Sequence, residues 1–192
     1  CKSQLKFLAG LESAYEGYES GVKELLTRKL PGIRGTLADL ISVTDEKLIS
    51  LMEKVLGTTI QTVVFETEAQ LRDAVEFLKK ERLGQACMTS FERLSKLPRL
   101  NNKGTVAGTD LAAFIKTESD CELLVSSLLN LIVITDDSGL ALECALQDDS
   151  KRLYVSRDGV ICNTDGTVIA GNAKKEKSGI LARKQQMEKL SE

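Results

Sequence analysis

Histidine is absent from the 192-residue chain. Histidine is the side chain that most often serves as a general base or a metal ligand, so the simplest catalytic and metal sites are missing. A serine or cysteine nucleophile would have no imidazole to take up its proton. The patterns GxxxxGK[ST], GxGxxG after a strand, and GxSxG are absent as well. We therefore predict no catalytic residues, no metal site and no cofactor.

Cysteine is present, but not in any metal-binding or redox spacing. The five cysteines are widely spaced, lie among apolar neighbours and form no CxxC pair: Cys1, Cys87, Cys121, Cys144 and Cys162. This pattern favours reduced, buried thiols in an intracellular compartment over zinc ligands or disulfides.

Long apolar runs are also missing. No apolar run reaches the roughly 18 residues that a membrane-spanning helix needs, which predicts no membrane contact. The chain has no initiator methionine, and both of its ends have helical patterns. We expect it to be an internal piece of a longer protein.

Both ends of the chain carry one apolar stripe. In residues 1–29 the spacing is 3, 4, 3, 4, 3, which is typical of a coiled-coil seam, at Leu8, Leu11, Tyr15, Tyr18, Val22 and Leu25. A second stripe contains Ile180, Met187 and Leu190. We predict coiled-coil arms at 1–29 and 174–192. An ordinary amphipathic helix packed on its own domain remains an alternative for the first arm.

Short apolar strands alternate with amphipathic helices between these ends, which predicts an α/β fold with mixed sheets. Thr67 and Gln70 form a capping box at the start of one of these helices. Residues 98–108 contain one proline, two asparagines and two glycines, so we predict a linker there. The predicted subdomains are residues 30–97 and 109–173.

Residues 157–172 predict a hairpin. Two Asp-Gly pairs, at 158–159 and 165–166, separate short β-branched runs, and residues 171–172 end the second run. A short glycine-rich strand has little side-chain bulk, which suits a place where another backbone comes close. We therefore interpret this hairpin as an association edge and not as an active site.

The net charge of −2 is unevenly distributed, because residues 173–192 hold six Lys or Arg and three Glu. Lys174, Lys175 and Lys177 form a short basic run that could bind phosphate without sequence preference or could be a solvated turn. Paired end helices would bring Arg28, Lys29 and Arg34 to the same junction. From the residues alone, the two interpretations are equally open.

Five segments together are distinctive in their order and spacing: PGIRGTLADLI at 31–41, MEKVLG at 52–57, TVVFETE at 62–68, FLKKERLGQA at 77–86, and RDGVI with DGTVIAG within 157–171. They resemble the hinge domain of SMC proteins, the chromosome-organising ATPases of condensin and cohesin type. The resemblance covers nearly the whole chain and is closer to bacterial than to eukaryotic members.

This resemblance implies a two-subdomain hinge flanked by antiparallel coiled-coil arms. Two copies would form a ring-like homodimer, and the interface residues would be Gly159, Gly166, Thr167, Val168, Ile169, Ala170, Gly171 and Asn172. The basic residues named above would contact DNA weakly and without sequence preference. ATP hydrolysis and kleisin-type partner subunits would belong to distant head domains. The expected location is the bacterial cytoplasm and nucleoid, or the nucleus in a eukaryote.

Two positions depart from the paired glycines usual in this family: Asp165 precedes Gly166, and Asn172 follows Gly171. A small-molecule-binding or enzymatic α/β domain is the alternative function, and an ordered ligand in a deep polar pocket would favour it.

Overall fold

A computed structural model describes residues 2–97, 107–171 and 179–191. The chain forms two compact units, the first comprising Cys1–Ser42, Leu56–Leu97 and Lys177–Glu192, and the second comprising Val43–Val55 and Pro98–Glu176. Most of the predicted linker 98–108 lies outside the described residues.

Helices and strands alternate in both units. The α-helices of the described residues are α1 (Lys2–Ser13), α2 (Ser20–Thr27), α3 (Leu37–Leu40), α4 (Ile49–Leu56), α5 (Glu68–Lys80), α6 (Phe91–Lys96), α7 (Glu122–Leu129), α8 (Ser138–Gln147) and α9 (Ile180–Ser191). The strands are β1 (Ile33–Thr36), β2 (Ile41–Val43), β3 (Val63–Phe65), β4 (Met88–Ser90), β5 (Thr109–Asp110), β6 (Ile115–Thr117), β7 (Ile132–Thr135), β8 (Leu153–Ser156), β9 (Ile161–Cys162) and β10 (Val168–Ile169).

The first unit contains a three-stranded sheet in the order β1-β3-β4, with β1 antiparallel and β4 parallel to β3. Helices α2 and α5 pack on this sheet through one apolar cluster, which includes Leu25, Phe65 and Ala74. Helix α5 begins with the predicted capping box: the Gln70 amide donates to the Thr67 hydroxyl at 3.3 Å, and the Thr67 amide donates to the Gln70 side chain at 3.1 Å. Local chemistry therefore sets where α5 begins.

The second unit contains a five-stranded mixed sheet in the order β10-β9-β8-β7-β5. The central pair β7 and β8 is parallel, and the other pairs are antiparallel. Helix α8 packs on one face of this sheet, where Ala141 joins Val133, Tyr154 and Cys162 in a buried cluster. The mixed sheets agree with the predicted fold class.

The expected single helix over residues 1–29 is wrong, because the helix is broken between Ser13 and Ser20. Tyr15, two residues after the end of α1, is in the left-handed region at φ 49°, and Gly17 follows at φ 87°. The Glu16 amide donates to the Leu11 carbonyl at 2.9 Å, as in a Schellman cap. A regular apolar spacing therefore does not ensure a continuous helix.

Two side chains from other parts of the first unit hold this break. The buried Arg183 guanidinium donates to the Glu16 carbonyl at 2.6 Å. The Gln61 side chain donates to the Gly17 carbonyl at 3.3 Å and accepts from the Glu19 amide at 2.6 Å. Helix α9 contacts α1, so the first and last helices of the described residues lie together in this unit.

Residues 43–55, which the sequence assigned to the first subdomain, belong to the second compact unit. Asp45 pairs with Arg157 at 3.1 Å, and the Lys54 ammonium donates to the Gly159 carbonyl at 3.0 Å. These bonds cross more than 100 positions of sequence, so no local pattern signals them. In the same unit, Leu111–Phe114 is a 3-10 turn, and β6 follows it.

Candidate association edge and basic residues

The glycine-rich stretch forms the predicted hairpin at the edge of the five-stranded sheet. Strand β10 pairs with β9 in antiparallel register, with Val168 opposite Cys162 and Ile169 opposite Ile161. Within the described residues no strand pairs with the other side of β10. The stretch thus supplies a short open edge.

The first Asp-Gly pair lies in the turn between β8 and β9. The Gly159 amide donates to the Ser156 carbonyl at 2.9 Å, and the Ser156 amide donates to the Val160 carbonyl at 2.9 Å. The loop therefore has three residues and not two. Gly159 closes it at φ 96°, a region that favours glycine.

The second Asp-Gly pair repeats this hydrogen-bond pattern between β9 and β10. The Gly166 amide donates to the Asn163 carbonyl at 3.1 Å, and the Asn163 amide donates to the Thr167 carbonyl at 2.8 Å. Gly166 lies at φ 86°. The two turns are therefore the same three-residue loop used twice in succession.

Asp165 occupies this loop without the positive φ angle that favours glycine. The described non-glycine residues with positive φ are Tyr15, Lys29, Arg82 and Lys151, so Asp165 has a negative φ. Its carboxylate accepts from the Thr167 hydroxyl at 2.6 Å and from the Thr167 amide at 2.9 Å. These hydrogen bonds lower the pKa of Asp165. The aspartate thus stabilises the turn from within.

Val168 and Ile169 are 48% and 47% exposed, although each continues a row of inward-facing apolar side chains. Directly opposed residues of paired strands point to the same face of a sheet. One row therefore contains Val133, Tyr154, Cys162 and Val168, and the row on the other face contains Ile134, Val155, Ile161 and Ile169. Both rows cross the sheet, and each ends at a half-exposed residue of β10.

The glycines of this stretch are not packed against atoms of their own chain. A Cβ atom added at Gly159, Gly166 or Gly171 would meet no described atom within 4 Å. All three have positive φ, so the backbone conformation explains their presence. Thr167, Ala170 and Gly171 are exposed, and Asn172 lies outside the described residues.

Two of the predicted basic residues already have partners. Arg28 pairs with Glu24 at 3.3 Å, and its guanidinium carbon lies 5.1 Å from the Phe77 ring centre. Arg34 pairs with Glu66 at 2.8 Å and lies 5.8 Å from the Phe91 ring centre. Lys174, Lys175 and Lys177 lie outside the described residues.

Lys29 and Arg34 line one open groove of about 640 Å³ in the first unit, together with Tyr15, Met187 and Asp39. Burial raises the pKa of Asp39, but the ion pair with Lys184 and the hydrogen bonds from Thr36 outweigh it and lower the pKa overall. Lys29 is exposed, with no ion pair to any described residue. Of the three predicted cations described, two share this groove, and Arg28 does not line it.

Neither a metal site nor a membrane span is found in the part of the chain that the structure describes. Those residues contain no group of three or more His, Cys, Asp or Glu side chains that could hold a metal ion. No helix among them is both long and apolar enough to cross a membrane.

Leu142 and Leu146 on α8 are 42% and 89% exposed, and neither is among the residues predicted from the sequence. The signal that the sequence offers is the i, i+4 spacing of these two leucines.

Comparison with known proteins identifies the family to which this fold belongs. The family described as "SMC proteins Flexible Hinge Domain" matches residues 30–145, which is more than half of the chain. The chain belongs to the SMC hinge family. This confirms the resemblance drawn from the five sequence segments.

Relatives extend the likeness along the whole hinge. The chain is 28% identical to the chromosome partition protein Smc of Bacillus subtilis over 99% of its own length, and it spans 17% of that protein. An asymmetric dimer of the Geobacillus stearothermophilus SMC hinge domain matches 99% of this chain and 79% of that chain, with a TM-score of 0.82 and 24% identity. A Pyrococcus furiosus Smc hinge domain with an extended coiled coil matches 99% of this chain and 66% of that chain, with a TM-score of 0.68 and 24% identity. These matches confirm the predicted fold.

Proposed function

We propose that this hinge joins two copies of an SMC chromosome partition protein as a homodimer. The observation that carries the proposal is the open edge at β10, where two apolar rows of the sheet end with Val168 and Ile169 half exposed. A second chain covering this edge would remove both side chains from water. The dimer of the related Geobacillus hinge supports the same proposal.

Backbone groups at this edge would add hydrogen bonds to the contact. In an antiparallel pair, alternate residues direct their amide and carbonyl groups towards the partner strand. The Asn163 amide donates to the Thr167 carbonyl, so the backbone amide and carbonyl groups of Thr167 and Ile169 are directed towards β9. The groups of Val168 and Ala170 therefore point outward, where a strand of another chain could pair with them.

We assign the arms and subdomains as the sequence suggests. Residues 1–29 and 174–192 would continue into coiled-coil arms. The contact between α1 and α9 supports this assignment, whereas α2 packs on the hinge sheet. Residues 30–97 and 109–173 would contribute the two hinge subdomains, with 43–55 contributing to the second. ATP hydrolysis and contacts with kleisin-type subunits would take place at heads beyond this chain, so we assign the hinge no catalytic step.

Ala170→Pro tests the pairing directly. Proline removes one outward-facing amide but none of the hydrogen bonds within the hairpin, and an edge strand tolerates it. We expect the dissociation constant of the dimer to rise by about tenfold, which is the loss of one or two hydrogen bonds. Analytical ultracentrifugation measures the constant, and circular dichroism checks the fold.

Thr164→Pro is the matched control, because it adds proline to the same hairpin at the first central position of a turn, where proline is favoured. It should leave the dimer unchanged. Equal dissociation constants for the Ala170→Pro variant and the unmodified chain would argue against strand pairing at this edge.

We also propose that DNA binds near the junction of hinge and arms. The exposed Lys29 and the groove that it shares with Arg34 support this proposal, as does the excess of three positive charges in residues 173–192. Because Arg28 and Arg34 have acidic partners, we expect most of the affinity to come from Lys174, Lys175 and Lys177. Such binding is electrostatic and falls as salt rises.

Replacing Lys174, Lys175 and Lys177 by glutamate should abolish DNA binding and leave the dimer intact. Fluorescence anisotropy of a labelled duplex at several salt concentrations measures the affinity. A variant with glutamate at the exposed Lys79, Lys80 and Lys116 makes the same change in net charge elsewhere and should bind more tightly than the first variant. Equal affinities for the two variants would place DNA binding elsewhere.

A further inference from the structure

Helix α8 exposes two leucines one helical turn apart. Leu146 is 89% exposed and Leu142 is 42% exposed. A single exposed leucine needs no explanation, but a pair that adjoins another exposed apolar group forms a patch. Whether Leu142 and Leu146 adjoin such a group depends on the direction in which they face.

Three contacts of α8 fix its rotation on the sheet. Ala141 faces the sheet in the buried cluster with Tyr154 and Cys162. The Cys144 thiol lies 3.7 Å from the carbonyl of Ala107, close to the edge strand β5. Ser138 lies near Asp158, in the turn that leads into β9, because Ser138 adds to the effect of Ser156 in lowering the pKa of that carboxyl. One flank of α8 thus faces β5, and the other faces β9 and β10.

Leu142 and Leu146 lie on the flank that faces β10. Each residue of a helix is turned by about 100° from the one before it. Relative to Ala141, this places Ser138 at about +60° and Leu142 and Leu146 at about +100° and +140°, whereas Cys144 lies at about −60°. The two leucines are therefore on the Ser138 side, away from Cys144 and β5.

Val168 lies on the same face of the sheet as α8. It stands opposite Cys162, whose side chain belongs to the cluster beneath Ala141. Val168 is one of the exposed large apolar residues of the second unit, and it lies on the same side of the sheet as Leu142 and Leu146. The apolar surface of the edge extends from β10 onto the helix.

We propose that the flank of α8 formed by Leu142 and Leu146 is a second part of the dimer interface and is covered by a second copy of this chain. This inference rests on the proposed dimerisation. Strand β10 has only two residues, whereas a stable interface buries about 600–1,000 Å² on each partner. The edge alone is too small to provide that area, and the α8 flank continues it with apolar surface.

Leu146→Glu tests this inference with little effect on folding, because the side chain is 89% exposed. Losing the buried contact should raise the dissociation constant of the dimer about ten- to hundredfold. Leu146→Met keeps an apolar side chain and should retain the affinity. The melting temperature of each variant, measured where the chain is monomeric, should match that of the unmodified chain.

Gln147→Glu is the matched control, since it adds the same charge to the next, exposed residue on the flank that faces β5. It should change the dissociation constant less than twofold. If Leu146→Glu has no effect while Ala170→Pro weakens the dimer, the helix is outside the interface and the hinge proposal stands. A chain that is monomeric without any substitution would overturn both proposals.

Discussion

Replacing Val168 and Ile169 together by lysine should convert the dimer to a monomer. Each side chain is about half exposed in the single chain and becomes buried when a partner covers the β10 edge. Burying an aliphatic side chain contributes about 1.5–3 kcal/mol, and a lysine would place an unpaired charge there. The dissociation constant should therefore rise by at least about 100-fold, measured by sedimentation equilibrium.

The control places lysine at two exposed positions that are not part of the hairpin, Ser50 and Leu97. This variant gains the same two charges and should remain a dimer. The hairpin should survive in both variants, since its turns depend on Gly159, Gly166 and Asp165. Self-association of the Val168 and Ile169 variant at the unmodified strength would show that β10 is not the interface.

Replacing Gly21 by alanine should destabilise the first unit by about 3 kcal/mol. An added Cβ atom would lie 2.2 Å from the Gly84 carbonyl oxygen and 2.4 Å from the Gln85 carbonyl oxygen. Both are backbone atoms next to a tight turn, so they cannot move aside as the end of a side chain could. Chemical denaturation followed by circular dichroism measures the free energy of unfolding.

Gly10→Ala is the matched control, because Gly10 lies within α1 and an added Cβ atom would meet nothing within 4 Å. Alanine there should stabilise the helix by up to about 1 kcal/mol. Opposite signs for the two substitutions would show that Gly21 is required by close backbone contact. Equal, small effects would contradict the packing of α2 against residues 84–85.

Local chemistry made parts of the fold predictable from the sequence. The capping box of Thr67 and Gln70 begins α5, and the two Asp-Gly pairs form the two turns of the hairpin. In each case the residues that set the conformation lie within a few positions of one another. The sequence could therefore identify the hairpin and, through its glycines, the edge.

Long-range contacts explain what the sequence could not predict. Tyr15 takes a left-handed conformation that bulky residues rarely adopt, in a turn held by Arg183 and Gln61. The apolar spacing around it is that of an unbroken helix. Likewise, Asp45 joins the second unit through Arg157, and only the folded chain brings the two together.

The patch on α8 was hidden for a related reason. Leu142 and Leu146 look like ordinary members of an apolar helix in sequence, and only the contacts of Ala141, Cys144 and Ser138 show that they lie outside the core. Helical spacing gives the angle between side chains, but the face that meets the sheet depends on tertiary packing.

The mass of the unmodified chain in solution tests the central claim most directly. The chain has a mass of 21.0 kDa. Dimerisation through the β10 edge predicts that sedimentation equilibrium gives twice this mass at micromolar concentration. A mass of 21.0 kDa that persists at hundreds of micromolar would contradict the proposed hinge function.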